Sequence, residues 1–159
     1  MPRRVHTALL LCALLLATGS SRAQRYTFKN YGQGQGLDNL NIQAVTQDRE
    51  KILWIATQDG VFRYDGYRFT PYGRAEGLPA AYIEAVTIDP NNVLWATSSA
   101  GAFFFRDGSF HPVASDIPLN FKRGSSVASS SRGGEMLANV NETLFSIVPS
   151  GTGWRAVPY

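Results

Sequence analysis

Short stretches of alternating apolar and polar residues cover much of the chain, and a period of two is typical of β-strands. Residues 52–57 alternate in this way, so that successive side chains face opposite sides of a sheet. Asp59-Gly60 and Asp65-Gly66 follow, and such pairs are typical of tight hairpins because glycine adopts the positive φ that these turns require. The pattern predicts antiparallel strands joined by hairpins, with no helix after the N-terminal region.

The same pattern occurs twice along the chain. A displacement of 41 residues aligns Trp54 with Trp95, and eleven positions are identical across residues 36–62 and 77–103. The identical pairs are Gly36/Gly77, Leu37/Leu78, Ile42/Ile83, Ala44/Ala85, Val45/Val86, Thr46/Thr87, Asp48/Asp89, Leu53/Leu94, Trp54/Trp95, Gly60/Gly101 and Phe62/Phe103. A repeat of about 40–45 residues composed of short strands is typical of a β-propeller with one four-stranded blade per repeat.

The repeat divides the chain into five predicted segments. They are a signal peptide (residues 1–23), a strand that closes a propeller ring (24–35), two well-formed blades (36–76 and 77–116) and a degenerate third blade (117–159). Within the third blade, Ser125–Ser131 is poor in apolar residues and is interpreted as an inner strand or a loop. The predicted fold class is all-β, with about three four-stranded antiparallel blades of an incomplete β-propeller.

The N-terminus has the parts of a secretory signal peptide. Arg3 and Arg4 precede an apolar run over residues 8–17, and the small residues Ser21 and Ala23 favour cleavage after position 23. An uncleaved anchor is the alternative, but the apolar run is short for a membrane span. We therefore expect export, and a periplasmic location.

After cleavage the chain has no cysteine and no surplus of positive charge. Cys12, the only cysteine, lies in the signal peptide, so we expect neither a disulfide nor a zinc–thiolate site. Of the 15 Lys and Arg residues, Arg3, Arg4 and Arg22 precede the cleavage point, which leaves 12 against 12 Asp and Glu. A nucleic-acid partner requires a concentrated basic face, and none is predicted.

The first repeat also carries a recognisable motif. After Gly36-Leu37 come Ile42, Val45 and Asp48, and then LWIAT and DGVFRYDG over residues 53–57 and 59–66. This sequence resembles the two component regulator propeller repeat, and the second repeat keeps much of the same motif. The first repeat departs from the family where Glu50-Lys51 replaces a turn glycine and Ala56 replaces another glycine.

The resemblance implies a function in signal transduction. Propellers of this family are periplasmic input domains that precede a transmembrane helix and a histidine kinase of a phosphorelay or a diguanylate cyclase. It implies that the chain senses a ligand, is itself no enzyme, and is a truncated piece whose output module and membrane contact lie beyond Tyr159.

Candidate ligand-binding residues follow from propeller topology. The loops between blades, and those between the second and third strands of a blade, converge at one end of the fold. The residues predicted there are Gln58, Asp59, Tyr82, Ser98 and Ser99. Their polar and aromatic side chains suit a small molecule or a glycan, and no cofactor or metal is predicted.

Other prominent residues have structural interpretations that we favour. Trp54 and Trp95 are stacking platforms for a ligand or, more in keeping with their mid-strand positions, packing residues between blades. Asp48 and Asp89 are metal ligands or caps of the adjacent turns, and isolated carboxylates favour the caps. The glycines of residues 32–36 precede a strand and not a helix, so they form a blade connection and no phosphate-binding loop.

Two further classes of function remain open. A secreted propeller enzyme such as a lyase needs catalytic groups beyond Tyr159, because His111 is the only histidine of the mature chain. A protein-interaction scaffold needs no pocket at all.

An open arc of blades also has a physical consequence. It leaves an apolar face at each end and an unpaired N-terminal strand. We therefore predict that the isolated chain aggregates or folds poorly in solution.

Overall fold

A computed structural model describes residues 27–79, 82–122, 125–129 and 135–159. The chain divides into two compact units, residues 1–30 and residues 31–159. Residues 27–30 of the first unit are exposed and form no regular element. The second unit contains all of the strands described below. The predicted signal peptide lies outside the described residues.

The first two sheets are antiparallel and have the same order of four strands. The first sheet consists of β1 (Ile42–Gln47), β2 (Leu53–Thr57), β3 (Gly60–Tyr64) and β4 (Phe69–Tyr72). The second consists of β5 (Ile83–Ile88), β6 (Leu94–Ser98), β7 (Gly101–Arg106) and β8 (Ser109–Pro112). Each strand pairs with the next along the chain, as the Asp-Gly turns predicted. The outer strand of the first blade begins at Phe69, after a turn that contains Tyr67.

The third sheet has five strands. Its hydrogen-bonded order is β10 (Ser126–Ser129), β11 (Met136–Val140), β12 (Thr143–Ser150), β13 (Gly153–Pro158) and β9 (Ala114–Ser115). The two residues of β9 pair in parallel with β13, so the segment that leaves the second sheet lies on the edge of the third. Ser126–Ser129 is a strand in spite of its polar composition, since it pairs with β11 over four residues. The all-β prediction of about three four-stranded blades is confirmed, with β9 as an addition.

The segment before β1 differs from a regular strand. Residues 27–32 contain no strand, and Gln33–Gln35 forms a single 3-10 turn. The prediction of a closing strand at residues 24–35 stays a prediction, because residues 24–26 lie outside the described part and none of the described sheets includes the rest. Arg74–Glu76 forms the same 3-10 turn one repeat later.

These two 3-10 turns are alike in detail. The backbone N–H of Gly32 donates to Gln35 Oε1 at 2.8 Å, and that of Gly73 donates to Glu76 Oε2 at 2.7 Å. The residue after each turn is a glycine with φ of 91°. The repeat therefore extends to the connections between blades and does not stop at the strands.

Tyr31 joins the start of the second unit to the first sheet. Its hydroxyl oxygen accepts a 3.0 Å hydrogen bond from the Tyr64 hydroxyl, which also lies 2.8 Å from the Gly66 carbonyl oxygen. Its ring packs edge-on against the rings of Tyr64 and Phe69. The hydrogen bond with Tyr31 is the main cause that raises the pKa of Tyr64 to about 12.

Trp54 and Trp95 pack between blades, as predicted. The Trp54 ring lies 5.1 Å from that of Phe105 in the second sheet and belongs to a cluster built mostly from that sheet. The Trp95 ring lies 5.1 Å from that of Trp154 in the third sheet. Each blade is thus joined to the next by the tryptophan of its second strand, and burial of such large aromatic side chains dominates core energetics.

Trp54 and Trp95 are each held by the aspartate six residues before them. Trp54 Nε1 donates to Asp48 Oδ2 at 2.9 Å, and Trp95 Nε1 donates to Asp89 Oδ2 at 3.2 Å. The other carboxylate oxygen accepts the backbone N–H that follows the turn, from Ile52 at 2.8 Å and from Val93 at 2.9 Å. The prediction that these aspartates cap turns is confirmed, and the bond to the indole adds a reason for the Asp–Trp spacing.

The turn between the first two strands adopts a left-handed backbone in both blades. Lys51 has φ of 68° and Asn92 has φ of 65°. Lys51 stands where the family repeat has its turn glycine, so the structure explains why glycine suits that position. The two turns also contact each other, because the Arg49 backbone N–H donates to Asn92 Oδ1 at 3.0 Å and the Arg49 guanidinium donates to the Pro90 carbonyl.

Candidate functional site

The predicted ligand-binding residues lie at one end of the first two sheets. Strand register places Ile42, at the start of β1, opposite Thr57, at the end of β2. The same register pairs Ile83 with Ser98 in the second sheet. The turn that holds Gln58 and Asp59 therefore lies beside the start of β1, as the turn at Ser98-Ser99 lies beside the start of β5.

These residues differ in accessibility. Gln58, Asp59 and Ser99 are exposed, and Tyr82 is half-buried. Ser98 is fully buried, and its Oγ accepts a 3.1 Å hydrogen bond from the Ala100 backbone N–H. The Ser98 side chain thus shapes its turn, whereas the other four are open to contact.

A polar cleft of about 670 Å³ opens between the inner strands β1 and β5. Its lining residues are Asn41, Ile42, Gln43, Tyr82 and Glu84. Of the predicted residues, Tyr82 lines this cleft. The structure adds two amide side chains and a carboxylate that the sequence interpretation missed.

Two β-bulges aim side chains into this cleft. In the first sheet Ile42 pairs with Thr57 and Ala44 with Ala56, so Gln43 is an extra residue between two adjacent partners. The second sheet has the same irregularity between Ile83 and Ala85, and Glu84 is the extra residue. Bulges bend a strand and redirect a side chain, and they are frequent beside functional sites.

Equivalent positions of two repeats therefore form the cleft. Asn41 corresponds to Tyr82 and Gln43 corresponds to Glu84 at the displacement of 41 residues. The sequence contained an indication of these lining residues. Asn41 and Gln43 flank Ile42, and Tyr82 and Glu84 flank Ile83, the isoleucines at which the inner strands begin. This indication was missed because a bulge cannot be read from a regular alternation pattern.

Hydrogen bonds order the rim of the cleft on the side of the first blade. Asn39 Nδ2 donates to Asp59 Oδ2 at 2.5 Å, and Asn39 Oδ1 accepts the Asn41 backbone N–H at 2.9 Å. Gln43 Nε2 donates to Asn41 Oδ1 at 2.6 Å. The predicted residue Asp59 is thus connected to the cleft through a chain of amide side chains, although it does not line it.

A second cavity, of about 150 Å³, lies beside the turn at Gly101. It is lined by Ala100, Gly101, Val113, Ser115, Ile117, Pro118 and Leu119. These side chains are mostly apolar, and the only hydroxyl, that of Ser115, donates to the Ile117 carbonyl at 2.6 Å. The cavity offers few groups that could orient a ligand.

The described residues contain neither a cluster of metal-ligating side chains nor a helix that could cross a membrane. Within 27–79, 82–122, 125–129 and 135–159, no three His, Cys, Asp or Glu side chains converge as a metal site would require. The same residues include no helix whose length and apolar character would let it cross a bilayer. His111 lies on β8, half-exposed, with its ring stacked on that of Phe104.

The arrangement of blades defines the class as a β-propeller-type repeat protein. Residues 36–59 match the family described as two component regulator propeller, so the resemblance found in the first repeat is confirmed there. This match runs from the connection before β1 to the turn after β2, and it includes the first-blade residues of the cleft.

A solved structure has the same fold. The crystal structure of the extracellular domain of a hybrid two component system from B. thetaiotaomicron superposes with a TM-score of 0.68 and 24% sequence identity. The alignment covers 85% of this chain and 20% of that one, so the chain spans about a fifth of the length of the structure that it matches. No curated protein matches the sequence.

Proposed function

We propose that this chain is the N-terminal part of a ligand-sensing propeller in a bacterial signalling receptor. The observation that carries the proposal is the two component regulator propeller repeat at residues 36–59, which contains Asn41, Gln43 and Asp59. In this proposal the chain is exported and acts in the periplasm. It passes the binding signal to a histidine kinase of a phosphorelay or to a diguanylate cyclase encoded beyond Tyr159.

The cleft between β1 and β5 is the proposed ligand site. It combines hydrogen-bond donors and acceptors of Asn41 and Gln43, the aromatic ring of Tyr82 and the carboxyl group of Glu84. A few convergent polar groups in a concave surface are typical of small-molecule sites. Gln58, Asp59 and Ser99 form the outer rim and contact the larger ligands, such as a glycan.

The position of the cleft suggests how binding is transmitted. The lining residues lie on or directly before the inner strands of two neighbouring blades. These blades pack against each other through Trp54, Ile83 and Val86. A ligand that bonds to both strands stabilises one relative position of the two blades. Such a ligand shifts the equilibrium between receptor states by the difference of its affinity for them.

Ligand binding is tested by thermal-shift screening of a metabolite and oligosaccharide library against the full chain. A ligand identified in this way should bind at least tenfold more weakly to the Tyr82→Ala variant, because the ring that faces it is lost. Tyr67→Ala is the matched control, since Tyr67 is 95% exposed in a turn outside the cleft. Unchanged affinity in Tyr82→Ala and in the triple variant of Gln58, Asp59 and Tyr82 to Ala contradicts the proposal.

The receptor context has a separate test. The coding sequence downstream of Tyr159 should contain further repeats, a membrane span and a kinase or cyclase module. A stop codon directly after Tyr159 in the genomic sequence contradicts this part of the proposal and leaves the ligand site standing.

A further inference from the structure

The two bulge residues of the cleft differ in charge although they occupy equivalent positions. Gln43 presents an amide to the cleft and Glu84 presents a carboxyl group, at the same point of the same strand in consecutive repeats. Glu84 is the only acidic or basic residue among the five that line the cleft. Its side chain therefore decides the electrostatic character of the cleft.

The surroundings of the cleft reinforce this character. The described segments at this end that lie closest to the inner strands β1 and β5 are residues 37–43, 57–60, 82–85 and 98–101. They contain Asp38, Asp59 and Glu84, and none of their residues is a lysine or an arginine. Two basic residues at this end, Arg74 in the connection after β4 and Lys122 next to Phe121, are exposed and do not line the cleft. Among the described residues that line the cleft, no lysine or arginine balances the Glu84 carboxylate, so an anion in the cleft contacts like charge.

We infer that Glu84 is a specificity-determining residue that makes the cleft select uncharged, hydroxyl-bearing ligands and exclude anionic ones. This inference rests on the proposed ligand site. Hydroxyl groups donate to the Glu84 carboxyl oxygens and both donate to and accept from the side-chain amides of Asn41 and Gln43. A carboxylate, sulfate or phosphate group only accepts hydrogen bonds, and two like charges about 4 Å apart in water repel by about 1 kcal/mol, which is about fivefold in affinity.

The experiment compares matched probes that differ only in charge. Glucose and glucuronate, galactose and galacturonate, and mannose and mannuronate each differ by a hydroxymethyl against a carboxylate group. Binding to the full chain is measured by ligand-observed saturation-transfer NMR at pH 7 and low ionic strength, because salt screens exposed charges. We expect a neutral probe to bind about fivefold more tightly than its anionic partner.

Variants of Glu84 identify the cause of this discrimination. Glu84→Gln turns the second bulge residue into a copy of Gln43, and we expect it to reduce the ratio between neutral and anionic probes to about one. Glu84→Lys should invert the ratio. Glu142→Gln is the matched control, since Glu142 is an exposed carboxylate in the turn between β11 and β12, and it should leave the ratio unchanged.

The outcomes separate the inference from the proposed function. Equal binding of both probes, or a ratio that Glu84→Gln does not change, overturns the inference. If binding of the probes is nevertheless lost in the Tyr82→Ala variant, the proposed ligand site is still supported. Absence of binding by every neutral probe overturns the inference, and binding that is unaffected by Tyr82→Ala overturns the proposed site as well.

Discussion

The inner strands of the first two blades share the residues Ile, Ala, Val and Thr at four equivalent positions, but the isoleucine and the valine differ in exposure. Ile83 and Val86 on β5 are 0% and 7% exposed, because the first blade packs against them. Their counterparts Ile42 and Val45 on β1 are 46% and 55% exposed. Local sequence is therefore not what buries these positions. A neighbouring blade does so, and apolar side chains left open in this way are typical of a surface that another element covers.

The second difference concerns what each blade contributes to its neighbour. The first blade presents Trp54 to the second, and the second presents Trp95 to the third. Trp95 is 1% exposed, and its aspartate Asp89 is also buried, whereas Asp48 is only half-buried. The interface between the second and third blades thus encloses its Asp–Trp pair more completely.

The largest effect is expected from Trp95→Ala. Truncation of a buried tryptophan costs about 3–5 kcal/mol, and here it also leaves the buried Asp89 without its indole partner. Trp54→Ala should cost less, because water reaches Asp48. Urea unfolding at low protein concentration measures both, and Trp95→Phe separates the loss of the N–H from the loss of volume. Equal costs for the two alanine variants would show that the enclosure of the aspartate is unimportant.

Ile83→Ala and Ile42→Ala test the comparison of inner strands directly. The same deletion should cost about 2–4 kcal/mol at the buried Ile83 and less than about 0.5 kcal/mol at the exposed Ile42. Denaturant unfolding of the two variants in parallel provides the measurement. A large cost at Ile42 would mean that another part of the molecule covers β1 in solution.

Substitutions of Gly36 and Gly77 by alanine compare the connections that precede the two blades. Both have φ of 91°, but a Cβ at Gly77 would lie 2.1 Å from the Phe110 carbonyl oxygen, against 3.9 Å from the nearest atom, Phe69 Cβ, at Gly36. Gly36→Ala should cost about 1–2 kcal/mol, the strain of a left-handed alanine. Gly77→Ala should cost distinctly more, because the Phe110 backbone must also move. Thermal unfolding ranks the two, and similar melting temperatures would contradict the close approach.

The turn after β3 provides a pH-dependent comparison. The Asp65 carboxylate accepts the backbone N–H groups of Arg68 and Tyr67 at 3.1 and 3.0 Å, and these bonds, with Arg63 close by, lower its pKa. A lowered pKa stabilises the folded state above the unfolded value of about 4. This contribution is lost as the pH falls through the folded pKa.

Asp65→Asn should therefore be less stable than the wild type at pH 7, and the difference should shrink as the pH falls below about 4. Melting temperatures from pH 2 to pH 7 measure this. Asp107→Asn, at the corresponding Asp-Gly turn of the second blade, removes an equal charge and is the control. A difference in melting temperature between Asp65→Asn and the wild type that stays constant with pH would contradict the lowered pKa of Asp65.

The smallest effect is expected at the left-handed turn residues. Lys51→Gly should stabilise the fold by about 0.5–1 kcal/mol, because glycine avoids a left-handed strain of about 1–2 kcal/mol at a smaller entropic cost. Asn92→Gly should not stabilise, since it removes the side chain that bonds to the Arg49 N–H and to Glu50. Chemical denaturation of the two variants shows whether the sign differs between the blades.

Much of this architecture could be predicted from the displacement of 41 residues and the Asp-Gly turns. Strand order, hairpin connections, the packing role of the tryptophans and the capping role of Asp48 and Asp89 follow from local patterns. The bulges at Gln43 and Glu84 do not, because a bulge depends on pairing with the neighbouring strand. Tyr82 was predicted at the site because it lies in a loop between blades, whereas Glu84 lies at a bulge and was not predicted.

The sequence by itself determined the repeat, because turns and strand alternation are properties of a few adjacent residues. Only the tertiary structure decided which copies of a repeated residue are buried. Ile42 and Ile83 are identical and lie in equivalent strands, yet one faces solvent and the other a neighbouring blade. Tertiary structure also brought Asn41 and Tyr82, one repeat apart in sequence, into the lining of one cleft. Burial and binding sites arise from contacts between blades, and no single repeat contains that information.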